Sequence, residues 1–250
     1  MGILILTATA IWARRPVPRR ENGIEQLHFA VGDRLQGYEI YDSNGEGLDI
    51  SEISDTPTLL VFAMAGCSDC LREFPSYRLL YALFDSNQFR IAFIWDDEVP
   101  QKDLDELNIP SEASYSAKGL YKFTDWVPTY YLVDETDTII DQTKEMAHVA
   151  SLLPETTAES ENLTRLSGGL PVLVGIDRCG ACRRASEQMQ ATYGEYLYLM
   201  EGLEEPPQDG PDAAIWADPH KLVSKAFGLD TYPVCLRLDP TGTIIKEEIE

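Results

Sequence analysis

The feature that most restricts what this chain can fold into is an internal repeat. An apolar run, "TPTLLVFAMAG", leads into Cys67-Ser68-Asp69-Cys70, and more than 100 residues later a second run, "LPVLVGID", leads into Cys179-Gly180-Ala181-Cys182. Continuous apolar runs of this length read as buried central strands. Behind the first pair the apolar residues Leu71, Phe74, Leu79, Leu80 and Leu83 fall at helical spacing, with Pro75 placed to kink the helix. Behind the second, Arg183 to Tyr193 is helical. Each half continues with a strand ("FRIAFIWDD", "YLYLM") and helical segments. These are Gln101 to Leu107 and Ala117 to Phe123 in the first half, and Pro219 to Phe227 in the second. Each half closes with a proline-led strand, a turn and a strand ("VPTYYLVDETDTIID", "YPVCLRLDPTGTIIKEE").

Ahead of the first repeat, "VGDRLQGYEIYDSNGEGLDISEI" reads as a hairpin around Asp42 to Gly47. The expected organisation is an N-terminal segment over 1–26, one α/β unit over 27–153, a polar, glycine-ended linker over 154–169, and a second, shorter unit over 170–250. Each unit is expected to be a mixed sheet flanked by helices. At 250 residues the chain can bury a core in each unit without staples, and 5 cysteines are too few for a disulfide framework.

Residues 1–20 hold four arginines and no acid, which leaves 21–250 with a net charge of −26. Such a surface repels nucleic acid and anionic lipid. The opening "MGILILTATAIWARRPVPRR" is shorter than the about 17 to 25 apolar residues a membrane helix needs. An apolar segment closed by Trp12 and then arginines looks like the end of a membrane anchor. Attachment with the rest of the chain on the extracytoplasmic side is one expectation. Arginines that follow an apolar segment argue for the cytoplasm.

The paired cysteines admit three uses. Zinc wants four soft ligands together, whereas each pair here follows its own strand and opens its own helix. A disulfide between residues three apart closes too small a loop to restrict the unfolded chain. Reactivity fits the placement better. A thiol at a helix N-terminus faces unpaired N–H groups and the positive end of the helix dipole, both of which favour the nucleophilic thiolate. A second thiol one turn inside can then resolve a mixed disulfide formed by the first. Cys67 and Cys179 are thus expected to attack, Cys70 and Cys182 to resolve.

The proline-led strands add to this. Pro within a sheet removes a ladder donor and is normally avoided. At Val127-Pro128 and Tyr232-Pro233 it makes sense as a cis peptide beside the cysteines, leaving backbone groups free to pair with an incoming peptide.

On these motifs both halves resemble thioredoxin-fold domains. The first resembles the TlpA/ResA-type membrane-anchored thiol-disulfide oxidoreductases. The first resemblance runs from about Val31 to Asp141, and the second from Leu170 to Glu250 on "CGAC", "DPHKLVSKAFGLDTYP" and "LRLDPTGTII". The resemblance implies disulfide exchange with other proteins, including a redox partner, and no bound cofactor or metal. It also implies proton transfer assisted by Glu73, three residues after the second cysteine; the second half has Ala185 there. Gly66 and Arg178 stand where the family has tryptophan before the first cysteine, and the C-terminal helix is missing from the second half. Peroxidase chemistry, the other activity of such folds, would use a hydroxyl where Met64 stands.

The two pairs differ in charge. Cys67 has Asp69 and Glu73 nearby, and Cys179 has Arg178, Arg183 and Arg184. A stabilised thiolate makes its disulfide more oxidising, so the first pair is expected to be the more reducing. Cys235 reads as a buried core thiol. His28, His148 and His220 adjoin no cysteine in sequence and receive no role. Asn162-Leu163-Thr164 has the glycosylation pattern, which is short enough to arise by chance. The leading expectation is a thiol-disulfide oxidoreductase. Its rival is a peptide-binding scaffold with vestigial cysteines.

Overall fold

The computed structural model describes residues 19–21, 24–26, 28–53, 55–64, 66–96, 104–105, 107–120, 123–154, 158–203 and 214–249. The N-terminal apolar run and most of the acidic helix expected at Gln101 to Leu107 lie outside the described residues. Among the described residues no helix is long and apolar enough to cross a membrane.

A short antiparallel pair, β1 (Arg19–Glu21) and β2 (Ile24–Gln26), precedes the main body. The first sheet is built from β3 (Glu39–Tyr41), β4 (Gly47–Asp49), β5 (Thr58–Ala63), β6 (Arg90–Trp95), β7 (Ser114–Ser116), β8 (Thr129–Val133) and β9 (Ile139–Thr143), in the order β4-β3-β7-β6-β5-β8-β9. The helix α1 (Ser68–Phe84) follows β5, and α2 (Met146–Leu152) and α3 (Ser160–Ser167) follow β9. The second sheet contains β10 (Val172–Ile176), β11 (Leu197–Glu201), β12 (Ala214–Asp218), β13 (Val234–Leu238) and β14 (Ile244–Glu248), in the order β12-β11-β10-β13-β14. Its helices are α4 (Gly180–Tyr193) and α5 (Leu222–Phe227).

Five strands repeat in topology: β7-β6-β5-β8-β9 of the first sheet matches β12-β11-β10-β13-β14 of the second, and the first sheet adds β3 and β4 beyond β7. In each set of five the strand that precedes the cysteines is central, with two parallel strands on one side and two antiparallel strands on the other. This is the thioredoxin-like arrangement, and the chain is a mixed α/β protein with two mixed sheets flanked by helices.

One detail differs from the sequence reading: the parallel strands β7 and β12 were not expected. Of the helical stretch expected at Ala117 to Phe123, Leu120 is in a 3-10 turn and residues 121–122 lie outside the described residues. β7 is only three residues long and β12 shows no apolar–polar alternation, so neither carries a periodicity of its own; pairing with the neighbouring strand defines them.

Burial explains the layers. Every residue of β5 is buried, and its side chains alternate between two cores, as the two-residue period of a strand requires. Leu60 and Phe62 face Phe29, Leu35, Ile40 and Tyr131, while Leu59 and Val61 face α1. β10 alternates in the same way. Leu173 packs with Ala185 and Met189 of α4, whereas Val172 and Val174 join the core of α1. A single core therefore contains Leu79, Leu80 and Leu83 of α1, Leu163 and Leu166 of α3, Val223 and Phe227 of α5, and the inner faces of both sheets. On that face the second sheet packs against α5, the linker helix α3 and α1 from the first half.

The linker helix is tied to α1 by its polar groups as well. Asn162 Nδ2 donates to the carbonyls of Ala82 at 3.2 Å and Leu83 at 3.1 Å, and Arg165 Nη1 donates to those of Tyr81 at 3.1 Å and Asp85 at 3.0 Å. Tyr81 O also accepts the Asp85 N–H at 3.3 Å, whereas carbonyls in the last turn of a helix otherwise lack intrahelical donors, so the linker supplies them.

Candidate active sites

Cys67 is the N-cap of α1, in extended conformation, and its Sγ accepts a hydrogen bond from the Cys70 N–H at 3.2 Å. The Cys67 thiol in turn donates to the Val127 carbonyl at 3.6 Å. Val127 belongs to the loop before β8, where the Val127–Pro128 peptide bond is cis. Cys67 is half-buried and Cys70 is fully buried. Burial and the hydrogen bond from Cys67 push the Cys70 thiol up to about 12. The structure thus brings Cys67, Cys70, Val127 and Pro128 together at one place.

Asp69 forms an ion pair with Arg72 in the same helix, which offsets part of the negative charge around Cys67. Glu73 lies one turn beyond Cys70 on the same helical face. Its Oε2 is 3.0 Å from His220 Nε2 and 3.4 Å from Ser76 Oγ. Tyr77 and Tyr130 lie under this face, and burial raises both phenols, with Cys70 and Glu73 adding to the effect. Trp126, just ahead of the cis peptide, is 53% exposed and carries Lys144 Nζ 5.5 Å from its ring centroid.

The second pair repeats the geometry. Cys179 is the N-cap of α4, its Sγ accepts from the Cys182 N–H at 3.0 Å, and Cys179 and Cys182 form a disulfide with their Cα atoms 5.2 Å apart. Cys179 is half-buried and Cys182 is buried. Gly175 in β10 permits the close approach, since a Cβ there would stand 2.9 Å from Tyr198 Oη and 3.2 Å from Cys182 Cβ. The expected arginine field is weaker than its count suggests, because Arg178 Nε lies 3.4 Å from Asp177 Oδ2.

The Tyr232–Pro233 bond is also cis. Tyr232 is held where Val127 is not: its hydroxyl donates to Glu201 and lies 2.9 Å from Ser224 Oγ. Burial and Glu201 push this phenol up to about 12. Glu201 is itself buried at the end of β11 and accepts the Ser224 N–H at 2.8 Å. Asp218, buried at the end of β12, accepts the N–H groups of Leu222 at 3.0 Å and Val223 at 2.9 Å. Burial, then repulsion from Glu201, pushes Asp218 up to about 7.

Sequence reasoning missed His220, Glu201 and Asp218. The two acids had a faint signal, an acidic residue ending an apolar run in "YLYLME" and "AIWAD". His220 had none, since its partner is 147 residues away. Cys235 is buried in the core of α4, and burial pushes its thiol up to about 11. Among the described residues no three His, Cys, Asp or Glu side chains are grouped to hold a metal ion.

No family and no curated protein matches the chain. Solved structures do resemble about half of it. A thioredoxin domain of a thiol-disulfide oxidoreductase from Bacteroides vulgatus is 19% identical, with a TM-score of 0.41, over 50% of this chain and 99% of that one. A thiol:disulfide interchange protein from a Bacteroides species is 22% identical, with a TM-score of 0.38, over 45% of this chain and 80% of that one. A thiol:disulfide interchange protein DsbE from Chlorobium tepidum is 19% identical, with a TM-score of 0.38, over 55% and 98%. At these values the likeness carries no argument about chemistry, and the thioredoxin-like description of this chain rests on its own strand order and cysteine placement.

Proposed function

We propose that the protein is a thiol-disulfide oxidoreductase that exchanges disulfides with cysteines of other proteins, with Cys67 as the attacking sulfur and Cys70 as the resolving one. The carrying observation is the half-buried Cys67 at a helix N-cap beside the loop of a cis peptide, with Cys70 buried one turn inside.

In the reducing direction the Cys67 thiolate attacks a client disulfide. One client sulfur bonds to Cys67 and the other leaves as a thiolate. Cys70 then gives up its proton, attacks Cys67 and forms the Cys67–Cys70 disulfide while the second client sulfur departs. The client gains two electrons and the pair loses two. The buried Cys70 thiol does not ionise by itself near neutrality, so its proton needs an acceptor, and in this reading Glu73, one turn further along α1, is that acceptor. Client backbone would pair beside Val127–Pro128 and Tyr232–Pro233, as an added strand. Cys179 and Cys182 form the second exchanging pair in this reading, and attachment to a membrane goes with the N-terminal segment.

Insulin reduction by the wild type, Cys67→Ser and Cys179→Ser tests the reading. Loss of turnover in Cys67→Ser is expected. No turnover in the wild type with any dithiol reductant would favour a scaffold that binds peptides without exchanging disulfides.

A further inference from the structure

We infer that His220, supplied by the second half of the chain, is a positioning residue for Glu73, so that the site at Cys67 and Cys70 is composed from both halves. The inference rests on the exchange chemistry proposed above and adds a part that the first half does not contain.

Contact and burial carry the argument. His220 Nε2 lies 3.0 Å from Glu73 Oε2, with side chains only 19% and 24% exposed. The other His–carboxylate pair, His148 with Asp141, is 44% and 32% exposed and adjoins no cysteine. Glu73 has three rotatable bonds, and Ser76 offers it only a long contact at 3.4 Å. Without a second anchor its carboxylate would sample several positions. Both of these contacts fall on Oε2.

His220 is itself held. It sits in the turn between β12 and α5, and Asp218 closes that turn by accepting the N–H groups of Leu222 and Val223 from within the core. The Asp218 carbonyl is bonded to the Gly202 N–H at 2.8 Å, which fixes the turn to the end of β11. Five residues along α1 the same two elements meet again, where the Arg78 guanidinium lies 4.2 Å from the Trp216 ring centroid. The helix that carries Cys67 is therefore registered against β12 at two places.

The chemical consequence lies in the resolving step. Cys70 must pass its proton to Glu73 as its sulfur bonds to Cys67. A misplacement of about 1 Å in such a geometry costs about 100-fold in rate. The titratable and charged groups around the pair are Asp69, Arg72, Cys70 and Tyr77 from α1, Tyr130 from β8, Asp218 and Lys221 beside His220, and Glu201 behind Asp218. His220 contacts Glu73 directly.

The test uses the full-length chain with Cys179→Ser and Cys182→Ser, so that the first pair alone reports. Mixing the reduced protein with Ellman's reagent releases one thionitrobenzoate as Cys67 attacks, in a second-order phase. A second is released as Cys70 resolves the mixed disulfide, in a first-order phase. His220→Ala is expected to slow the first-order phase about tenfold. His220→Gln, which keeps an N–H donor, is expected to recover most of the rate. In a Glu73→Gln background, His220→Ala is expected to have no further effect. An unchanged first-order phase in His220→Ala, or the same tenfold loss on top of Glu73→Gln, overturns the inference. A parent protein that never releases the second thionitrobenzoate overturns the exchange reading itself. Far-ultraviolet circular dichroism of His220→Gln and His220→Ala separates misfolding from loss of positioning.

Discussion

The Arg78 guanidinium stacks on Trp216 at 4.2 Å from the ring centroid, a contact between the helix of the first cysteine pair and an edge strand of the second sheet. Phe74 and Pro75 line the same groove opposite Ile215 and Ala217. Cation–π contacts that are partly desolvated contribute about 1 to 2 kcal/mol. Because α1, α3 and α5 share one core with both sheets, the chain is expected to unfold in one transition. Urea titrations followed by tryptophan fluorescence and circular dichroism check this. Trp216→Ala is expected to cost about 2 kcal/mol and to separate the two curves, and coincident curves in that variant would count against a shared core held at this contact.

Asn162 gives a sharper stability prediction. Its side-chain amide donates to two carbonyls at the end of α1 and its Oδ1 accepts the Glu159 N–H at 2.9 Å, with 7% of the residue exposed. Asn162→Ala leaves those groups unsatisfied and is expected to cost about 1 to 3 kcal/mol in chemical denaturation. The same burial bears on the Asn162-Leu163-Thr164 pattern: in the folded chain the amide has no room for a glycan. A glycosylated, folded protein seen by mass spectrometry would contradict this placement.

Asp218 should make stability depend on pH in an unusual direction. Its folded value is pushed up to about 7 from 3.8. Between those values the folded chain binds more protons than the unfolded one, so this group's contribution falls as pH rises from about 4 to about 7. The neutral form is favoured by burial, and ionisation above pH 7 leaves a charge in the core. Asp218→Asn is expected to flatten this part of the profile by a few kcal/mol at most. Thermal unfolding of both proteins at pH 5 and pH 8, for example, measures the difference.

Thiol reactivity should separate the three free cysteines. Cys67 is half-buried at a helix N-cap, whereas Cys70 and Cys235 are buried and raised to about 12 and about 11. Iodoacetamide at about pH 8 is expected to modify Cys67 in the native protein, and the other two only after unfolding. Peptide mapping by mass spectrometry reads the sites directly. Native labelling of Cys70 at the rate of Cys67 would remove the distinction between attacking and resolving sulfurs.

Much of this protein is written locally. The apolar runs Thr58–Ala63 and Val172–Ile176, the cysteine pairs that follow them, the helical spacing beyond and the proline-led strands each depend on neighbours within a few residues. They could be placed from strand and helix periods and from the backbone limits of proline. The short β7 and β12 strands could not, because such a parallel strand takes its form from hydrogen bonds to its neighbour, more than 10 residues away in sequence.

The amino-acid sequence alone determined two thioredoxin-like units, each with a cysteine pair at a helix N-terminus beside a proline loop, because those features are set by local periodicity and backbone chemistry. Only the tertiary structure decided that the two units share a core across α1, that the linker helix closes its end, and that His220 meets Glu73. Those relationships join residues from about 80 to 147 positions apart, and packing of complementary faces, which no local pattern encodes, brings them together.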